Sequence, residues 1–266
     1  MPAFLDVSSA SNPAIKELRA LLRGRKSSRG DARFAGEGIQ LLTRALTSDV
    51  TVDYVVLSED FADLLPIDLA ELLDDSRARC FRISESLFEK MSRRNMRSGA
   101  AFVATARAHS LTDLLKDAPI LVLDRVSNPR NVGAIARTCE AAGLGGLILT
   151  GSHVDPFSYE SLRASMGSVF GVPIVSCSEK EMLGWVSSNL RTLIGTSGGA
   201  EDDLWNAALP ASSALMFGNE GEGLSDHLIA TCDALVKIPY NAAVDSLNLG
   251  AAVAVVAFEY RRRNPQ

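Results

Sequence analysis

A chain of 266 residues, 47% hydrophobic and 22% charged, has the usage of a folded globular protein and excludes disordered, collagen-like and coiled-coil classes. Its length suits two ordinary domains. The net charge is −5 but unevenly held: residues 1–110 carry 16 Lys+Arg against 15 Asp+Glu, and residues 111–266 carry 11 against 17. The four cysteines, Cys80, Cys139, Cys177 and Cys232, have no metal-ligand spacing and read as buried thiols of a reducing compartment. Three isolated histidines give no basis for a metal centre or a Ser-His-Asp triad. The run Ala242 to Phe258 is broken by Asp245, Ser246 and Asn248 and is too polar to span a bilayer. No basic-then-apolar leader is visible at Met1-Pro-Ala-Phe-Leu-Asp6, which predicts a cytoplasmic protein.

In chain order, Ser11-Asn12-Pro13 is a cap-then-proline signal for a helix over Asn12 to Leu22. That helix opens the most basic stretch, Lys16 to Arg33, with Arg19, Arg23, Arg25, Lys26 and Arg29 between. A second helix is predicted over Ile39 to Leu46, strands over Val52–Leu57 and Ala78–Ile83, and a strand over Ala100–Ala106. Arg93, Arg94 and Arg97 form a second basic cluster. Such patches suit phosphate neutralisation, although a solvated helix face would look the same. Residues 109–118 read as a polar linker. Beyond it, strands alternate with helices: Ile120–Leu123, helix Val132–Ala142, Gly146–Leu149, helix Tyr159–Met166, Pro173–Val175, helix Glu179–Asn189, Arg191–Gly195, Ala214–Phe217, helix Ser225–Thr231, Ala234–Ile238 and helix Leu247–Arg262. This alternation predicts a parallel sheet covered on both faces.

In an open α/β sheet, ligands sit at the carboxyl ends of strands. Three loops there carry candidate chemistry. The first runs Leu123-Asp124-Arg125 through Asn128-Pro129-Arg130-Asn131 to Gly133 and Arg137. The second, Gly218-Asn219-Glu220-Gly221-Glu222-Gly223, lets backbone approach a ligand closely. The third leads from Ile238-Pro239-Tyr240 to Ser246-Leu247-Asn248-Leu249-Gly250, where Ser246 or Asn248 could cap a helix or touch a ligand. Each loop alone fits an ordinary turn, and glycine-rich turns also invite a nucleotide-dependent oxidoreductase. Against the latter, no Gly-x-Gly-x-x-Gly follows the first strand of a βαβ unit.

Taken together and in order, the three loops resemble the signature motifs of the SpoU (TrmH-like) branch of the SPOUT methyltransferases. Asn131, Gly133 and Arg137 match the first motif, Gly218, Glu220 and Gly223 the second, and Ile238-Pro239 with Ser246-Leu247-Asn248 the third. Ser9 to Lys16 and Phe34 to Gly38 resemble pieces of the substrate-binding domain that many ribosomal-RNA members carry. Tyr240 and Ala242 stand where the family usually has Met and Gly, and Leu249-Gly250 where it has Val-Ser. The resemblance implies an RNA-binding α/β domain over residues 1–108 and a SPOUT domain over residues 119–266, with a mostly parallel sheet and a trefoil knot. It implies S-adenosylmethionine as methyl donor, held near Gly218, Ile238, Ser246 and Leu247 with Thr196 and Gly198 opposite, and a homodimer of the SPOUT domain. The implied activity is methylation of a ribose 2′-hydroxyl in structured RNA, ribosomal RNA first and transfer RNA as runner-up. The alternative is a non-catalytic RNA-binding or ribosome-assembly protein with a degenerate donor pocket.

Arg137, Asn131, Glu220 and Asn248 are then the expected catalytic residues. Arg23, Arg25, Lys26, Arg29, Arg93 and Arg94 are the expected RNA contacts. Sulfonium-to-oxygen transfer needs in-line alignment and a proton acceptor. An arginine stays protonated in proteins, so Arg137 is expected to clamp a substrate phosphate rather than act as base. Asn131 is expected to orient the ribose or Arg137, and Glu220 to pair with an arginine or hold its loop.

Overall fold

The computed structural model describes residues 2–24, 32–93, 99–152, 154–241, 243 and 246–264. In chain order its elements begin with β1 (Phe4–Asp6), α1 (Pro13–Leu22), β2 (Arg33–Glu37), α2 (Ile39–Leu46), β3 (Thr51–Ser58), α3 (Glu59–Asp63), α4 (Ile67–Ser76), β4 (Arg79–Ile83), α5 (Glu85–Met91) and β5 (Ala100–Thr105). There follow β6 (Ile120–Asp124), α6 (Pro129–Ala142), β7 (Leu147–Thr150), α7 (Tyr159–Ser165), β8 (Ile174–Cys177), α8 (Glu179–Ser188), β9 (Thr192–Thr196) and β10 (Asp202–Asp203). The last four are β11 (Ser213–Phe217), α9 (Asp226–Thr231), β12 (Ala234–Lys237) and α10 (Leu249–Arg263). The chain divides into two compact units, residues 1–108 with 157–171, and residues 109–156 with 172–266.

Unit 1 is a five-stranded mixed sheet in the order β1-β4-β3-β5-β2. The strands β1, β4 and β3 run parallel, and β5 lies antiparallel to both β3 and β2. Its core is filled from one side by α1, through Ile15, Leu18 and Leu22, against Tyr54, Val56, Phe81 and Phe88. Burying each such side chain stabilises the fold by roughly 1.5–3 kcal/mol. Strand β2 is not predicted from the sequence, because Arg33-Phe-Ala-Gly-Glu37 shows no alternation. Gly36 explains it: a Cβ there would lie 2.5 Å from the ring of Phe102 across the ladder. The residues 157–171 join this unit by aromatic stacking, with Phe34 lying 5.0 Å from Phe157 and 5.5 Å from Phe170, centroid to centroid. The helices α3, α4 and α5 are likewise absent from the sequence reading, since they carry more charge than apolar periodicity.

Unit 2 is a seven-stranded sheet in the order β10-β12-β9-β11-β6-β7-β8, and every recorded pair is parallel. Both faces are covered, which is why β6 (ILVLD) and β11 (SALMF) are buried along their whole lengths. Helix α6 begins at Pro129 and not at Val132, because Asn128 caps it by accepting a hydrogen bond from the Arg130 N–H at 3.0 Å. Asn12 caps α1 in the same way, accepting from the Ala14 N–H at 2.9 Å.

The expectation of four buried cysteines needs correction. Cys80 and Cys139 are buried, whereas Cys177 and Cys232 are only partly covered, and all four are free thiols. Burial pushes the Cys139 thiol up to about 12 and the Cys80 and Cys232 thiols up to about 11, which keeps them protonated and unreactive near neutrality.

Candidate active site

The site of unit 2 follows from its strand order. From β6 the chain winds outward through β7 and β8, then returns to the other flank at β9 and β11. The carboxyl ends of β6 and β11 therefore flank the point where winding reverses, which is where a ligand crevice opens in such sheets. The register of β6 on β11, Leu123 opposite Phe217, sets the first two candidate loops side by side.

Two hydrogen-bond networks lock these loops together. In the first, the Glu220 carboxylate accepts from the Asn131 side-chain amide at 3.0 Å and from the Asn128 N–H at 3.2 Å. It also accepts from the Ser127 N–H at 3.3 Å and the Ser127 hydroxyl at 3.4 Å. Partial burial opposes its ionisation, but hydrogen bonds from its own backbone, from Asn131 and from Ser127 and Asn128 outweigh burial and hold the carboxyl below its ordinary value. Asn131, expected in the loop, lies in the first turns of α6 and is buried. Glu220 thus holds its loop by pairing with an amide and N–H donors, and no arginine among the described residues is its partner.

The second network centres on Arg125, which sits in the left-handed region at φ 51°. Its Nε donates to the buried Asp124 carboxylate at 2.7 Å, one Nη to Glu222 at 2.8 Å and the other to the Gly223 carbonyl at 2.9 Å. Its carbonyl accepts from the Asn219 amide at 2.9 Å, and its N–H donates to the Thr150 carbonyl at 2.8 Å. Asn219 closes the second loop on itself: its Oδ1 accepts from the Gly221 and Glu222 N–H groups, and its backbone pairs with that of Gly223. Gly218 leaves no room for a side chain, since a Cβ there would lie 2.0 Å from the Gly223 carbonyl carbon. Arg125, Asn219 and Glu222 are missed by sequence reasoning, because nothing in their spacing announces a side chain that bridges two loops.

On the flank of β11 lie β9 and β12, with Gly195 opposite Met216 and Thr196 opposite Val236. The ends of three adjacent strands, Thr196-Ser197-Gly198, Gly218 and Ile238, therefore lie abreast. Thr196 donates its hydroxyl to the Met216 carbonyl at 3.0 Å, which fixes the spacing of β9 and β11. A Cβ at Gly198 would lie 3.6 Å from the Tyr240 hydroxyl, so Tyr240 faces the β9 end. Three strands abreast span roughly 10 Å, suited to a nucleoside whose planar base is held by backbone groups. Gly198, with only the Tyr240 hydroxyl near its Cβ position, allows such an approach, and Gly218 lets its loop fold tightly beside it, so these residues fit S-adenosylmethionine.

The third loop enters α10. Ser246 is exposed and Leu247 partly covered. Asn248 caps the helix, its Oδ1 accepting from the Gly250 N–H at 2.9 Å and the Ala251 N–H at 3.4 Å. A Cβ at Gly250 would lie 3.2 Å from that Oδ1 and 3.8 Å from the Ala134 Cβ, which places the start of α10 against α6. Ala134 shares a helix face with Arg130 and Arg137. Arg137 is exposed, and among the described residues no carboxylate pairs with it.

The basic candidates of unit 1 behave unequally. Arg23 is exposed at the C-terminus of α1. Arg25, Lys26, Arg29 and Arg94 lie outside the described residues, as does Ala242. Arg93 is engaged within the unit: it donates to the Leu22 carbonyl at 3.2 Å, pairs with Glu160 at 2.7 Å and lies 4.5 Å above the Tyr159 ring. Arg33 is similarly internal, bridging Glu17 at 2.5 Å and Asp53 at 3.2 Å.

Comparison with known proteins gives this geometry a lineage. Residues 118–258 match the SpoU rRNA Methylase family and residues 12–101 the MRM3-like substrate binding domain. The chain is 30% identical over 260 residues to an uncharacterized tRNA/rRNA methyltransferase of Synechocystis, covering 97% of this chain and 93% of that one. It is 26% identical to a 23S rRNA (guanosine-2′-O)-methyltransferase of Bacillus subtilis, covering 96% and 98%. The crystal structure of an AdoMet-bound rRNA methyltransferase from Sinorhizobium meliloti superposes with a TM-score of 0.87 at 29% identity, over 99% of each chain. The chain belongs to the SpoU rRNA methylase family.

Proposed function

We propose that this protein transfers the methyl group of S-adenosylmethionine to the 2′-oxygen of a ribose in ribosomal RNA. The observation that supports it most is the Glu220–Asn131 junction, which couples the β11 loop to α6 and leaves Arg137 exposed less than two turns further along the same helix. The donor supplies an electrophilic methyl group on a sulfonium. Backbone at Gly198, Gly218, Ile238 and Leu247 holds its nucleoside, with Thr196 setting the width of the cleft. Asn131, immobilised by Glu220, presents its remaining amide capacity to the ribose. Asn248 serves as helix cap and so fixes the loop that carries Ser246 and Leu247. Arg137 remains protonated and clamps a phosphate flanking the reactive ribose, a task for which a planar two-pronged donor is suited. The proton of the 2′-hydroxyl passes to that phosphate or to water, since no neutral base stands among these side chains.

Two further parts of the reading concern partners. Residues 1–108 serve as the RNA-recognition part, the acidic residues 111–266 being poorly suited to hold a polyanion alone. The second part is a homodimer through α10, supported by Ala251, Ala254, Val255 and Phe258, which form a stripe at helical spacing; Phe258 is 49% exposed. Among the described residues no helix is long and apolar enough to cross a membrane, and the reading places the protein in the cytoplasm with its RNA.

The test is to incubate the protein with labelled donor and either ribosomal or transfer RNA and digest the product to nucleosides. Label on a ribose of ribosomal RNA is expected. Label on a base would overturn the reading, and label only in transfer RNA would overturn the substrate.

A further inference from the structure

Arg125 makes more contacts than its position requires. A residue ending a strand needs only continuity, yet this one ties β6, β7 and the β11 loop through its backbone N–H, its carbonyl and all three guanidinium nitrogens. It does so from a left-handed backbone conformation, which costs a non-glycine residue roughly 1–2 kcal/mol. Such strain persists only where surrounding contacts over-determine it, and it concentrates at functional sites. The contacts also divide by environment. The Asp124 carboxylate is buried, 5% exposed, and is braced by the Thr150 hydroxyl at 3.1 Å. The Glu222 carboxylate is 77% exposed. One end of the guanidinium is thus anchored in the sheet and the other reaches the tip of a loop.

That loop needs an external brace. Between Gly218 and Gly223 three residues of six are glycine, and Asn219 makes its internal ties to Gly221, Glu222 and Gly223. Glu220 couples it to the substrate side at Asn131. Arg125 is the complementary tie at the opposite end, gripping Glu222 and the Gly223 carbonyl. With both ties in place, the backbone that faces the donor and the amide that faces the ribose are held to one frame.

We propose that Arg125 is a positioning residue for methyl transfer: anchored on Asp124, it fixes the Gly218–Gly223 loop so that donor and ribose oxygen align. This deepens the methyltransferase reading and rests on it. Every contact of Arg125 described above is made to Asp124, Thr150 and the β11 loop, so its loss should act on donor affinity and turnover while sparing RNA affinity.

The test compares Arg125→Ala, Arg125→Gly, Arg125→Lys and wild type in the full-length protein. The readouts are titration calorimetry with S-adenosylmethionine, filter binding of ribosomal RNA, single-turnover methylation and thermal unfolding. Arg125→Ala should weaken donor binding about tenfold or more, as expected for lost charge-assisted hydrogen bonds, and slow single-turnover methylation further. RNA affinity should stay within about twofold. Arg125→Gly relieves the backbone strain and should melt above Arg125→Ala, yet bind donor no better. A merely structural role would restore stability and donor binding together. Arg125→Lys should recover part of the donor affinity, since one ammonium can reach Asp124 or Glu222 but not span both. Donor affinity and turnover unchanged in Arg125→Ala, or restored in Arg125→Gly, would overturn the proposal while leaving an active wild type intact. A wild type that binds no donor would overturn the methyltransferase reading and this inference with it.

Discussion

A single methyl group decides the fate of the second loop. At Gly218 a Cβ would lie 2.0 Å from the Gly223 carbonyl carbon and 2.1 Å from the Leu224 nitrogen, both backbone atoms that cannot step aside as a flexible side chain can. Gly218→Ala is therefore expected to open the loop and abolish measurable donor binding by calorimetry, although β11 itself is buried in the sheet and should remain folded by circular dichroism. Arg137 poses the opposite case, an exposed side chain with no structural task. Arg137→Ala should leave donor affinity and melting temperature near wild type and remove methylation. Arg137→Lys should fail almost as badly because an ammonium offers no fork to a phosphate. Collapse of donor binding in Arg137→Ala would refute this division of labour. Asn131, Arg137, Glu220 and Asn248 stand out in the sequence as candidates because each lies in a motif with fixed spacing. Arg125 and Asn219 do not, because the contacts by which they tie the two loops span 94 to 98 positions along the chain and only the fold brings those partners near.

Helices and strands were legible in proportion to how strongly local chemistry marked them. The Asn-Pro pair marks the start of α1, and the same pair at Asn128-Pro129 opens α6 three residues ahead of the apolar run that predicts a start at Val132. The parallel strands of unit 2 announced themselves as short apolar runs. Strand β2 did not, because Gly36 admits the Phe102 ring and so spoils the alternation a strand would otherwise show. Helix α10 carries its own pH dependence. Glu259, with a side chain 8% exposed, receives Arg262 at 2.7 Å and Arg263 at 2.6 Å, and Arg263 also donates to the Leu204 carbonyl at 2.7 Å and to the Ala207 carbonyl. Hydrogen bonds from Arg262 and Arg263 lower the Glu259 carboxyl from 4.5 to about 2. A depressed pKa stabilises the fold fully above the ordinary value, and that stability is lost as pH falls from 4.5 towards 2. Acid unfolding followed by circular dichroism should therefore begin below about pH 4.5, and Glu259→Gln should flatten the curve in that window. An identical acid profile in the variant would show that the cluster contributes nothing.

For the molecule as a whole, sequence charge was a partial guide. It marked residues 16–33 as the basic region, but Arg33 is consumed by Glu17 and Asp53, and Arg93 of the second cluster by Glu160 and the Leu22 carbonyl. Counting positive charges therefore overstates what is offered to RNA. Replacing Arg23, Arg25, Lys26 and Arg29 by alanine should weaken RNA binding and reduce its salt slope by up to about one unit per lost phosphate contact. Replacing Arg93 should lower the melting temperature and leave the slope nearly unchanged. Filter binding across a salt series checks both, and equal slopes for all proteins would place recognition on another surface.

The stacking of Phe34 with Phe157 and Phe170 bears on synthesis of the chain. The first unit is discontinuous: its sheet is complete in sequence by Thr105, but the rings that stack on Phe34 follow only at positions 157–171, after β6, α6 and β7 have been made. A nascent chain emerging from the ribosome must therefore hold a phenylalanine without its stacking partners while about fifty further residues are added, several seconds at ordinary elongation rates. The N-terminal unit cannot finish folding before the C-terminal one has begun, so the two units are bound to each other in time as well as by peptide bonds. Gene fusions that transplant residues 1–108 alone would carry Phe34 without its stacking partners, whereas a cut after Gly171 would part β6, α6 and β7 from the rest of the second sheet.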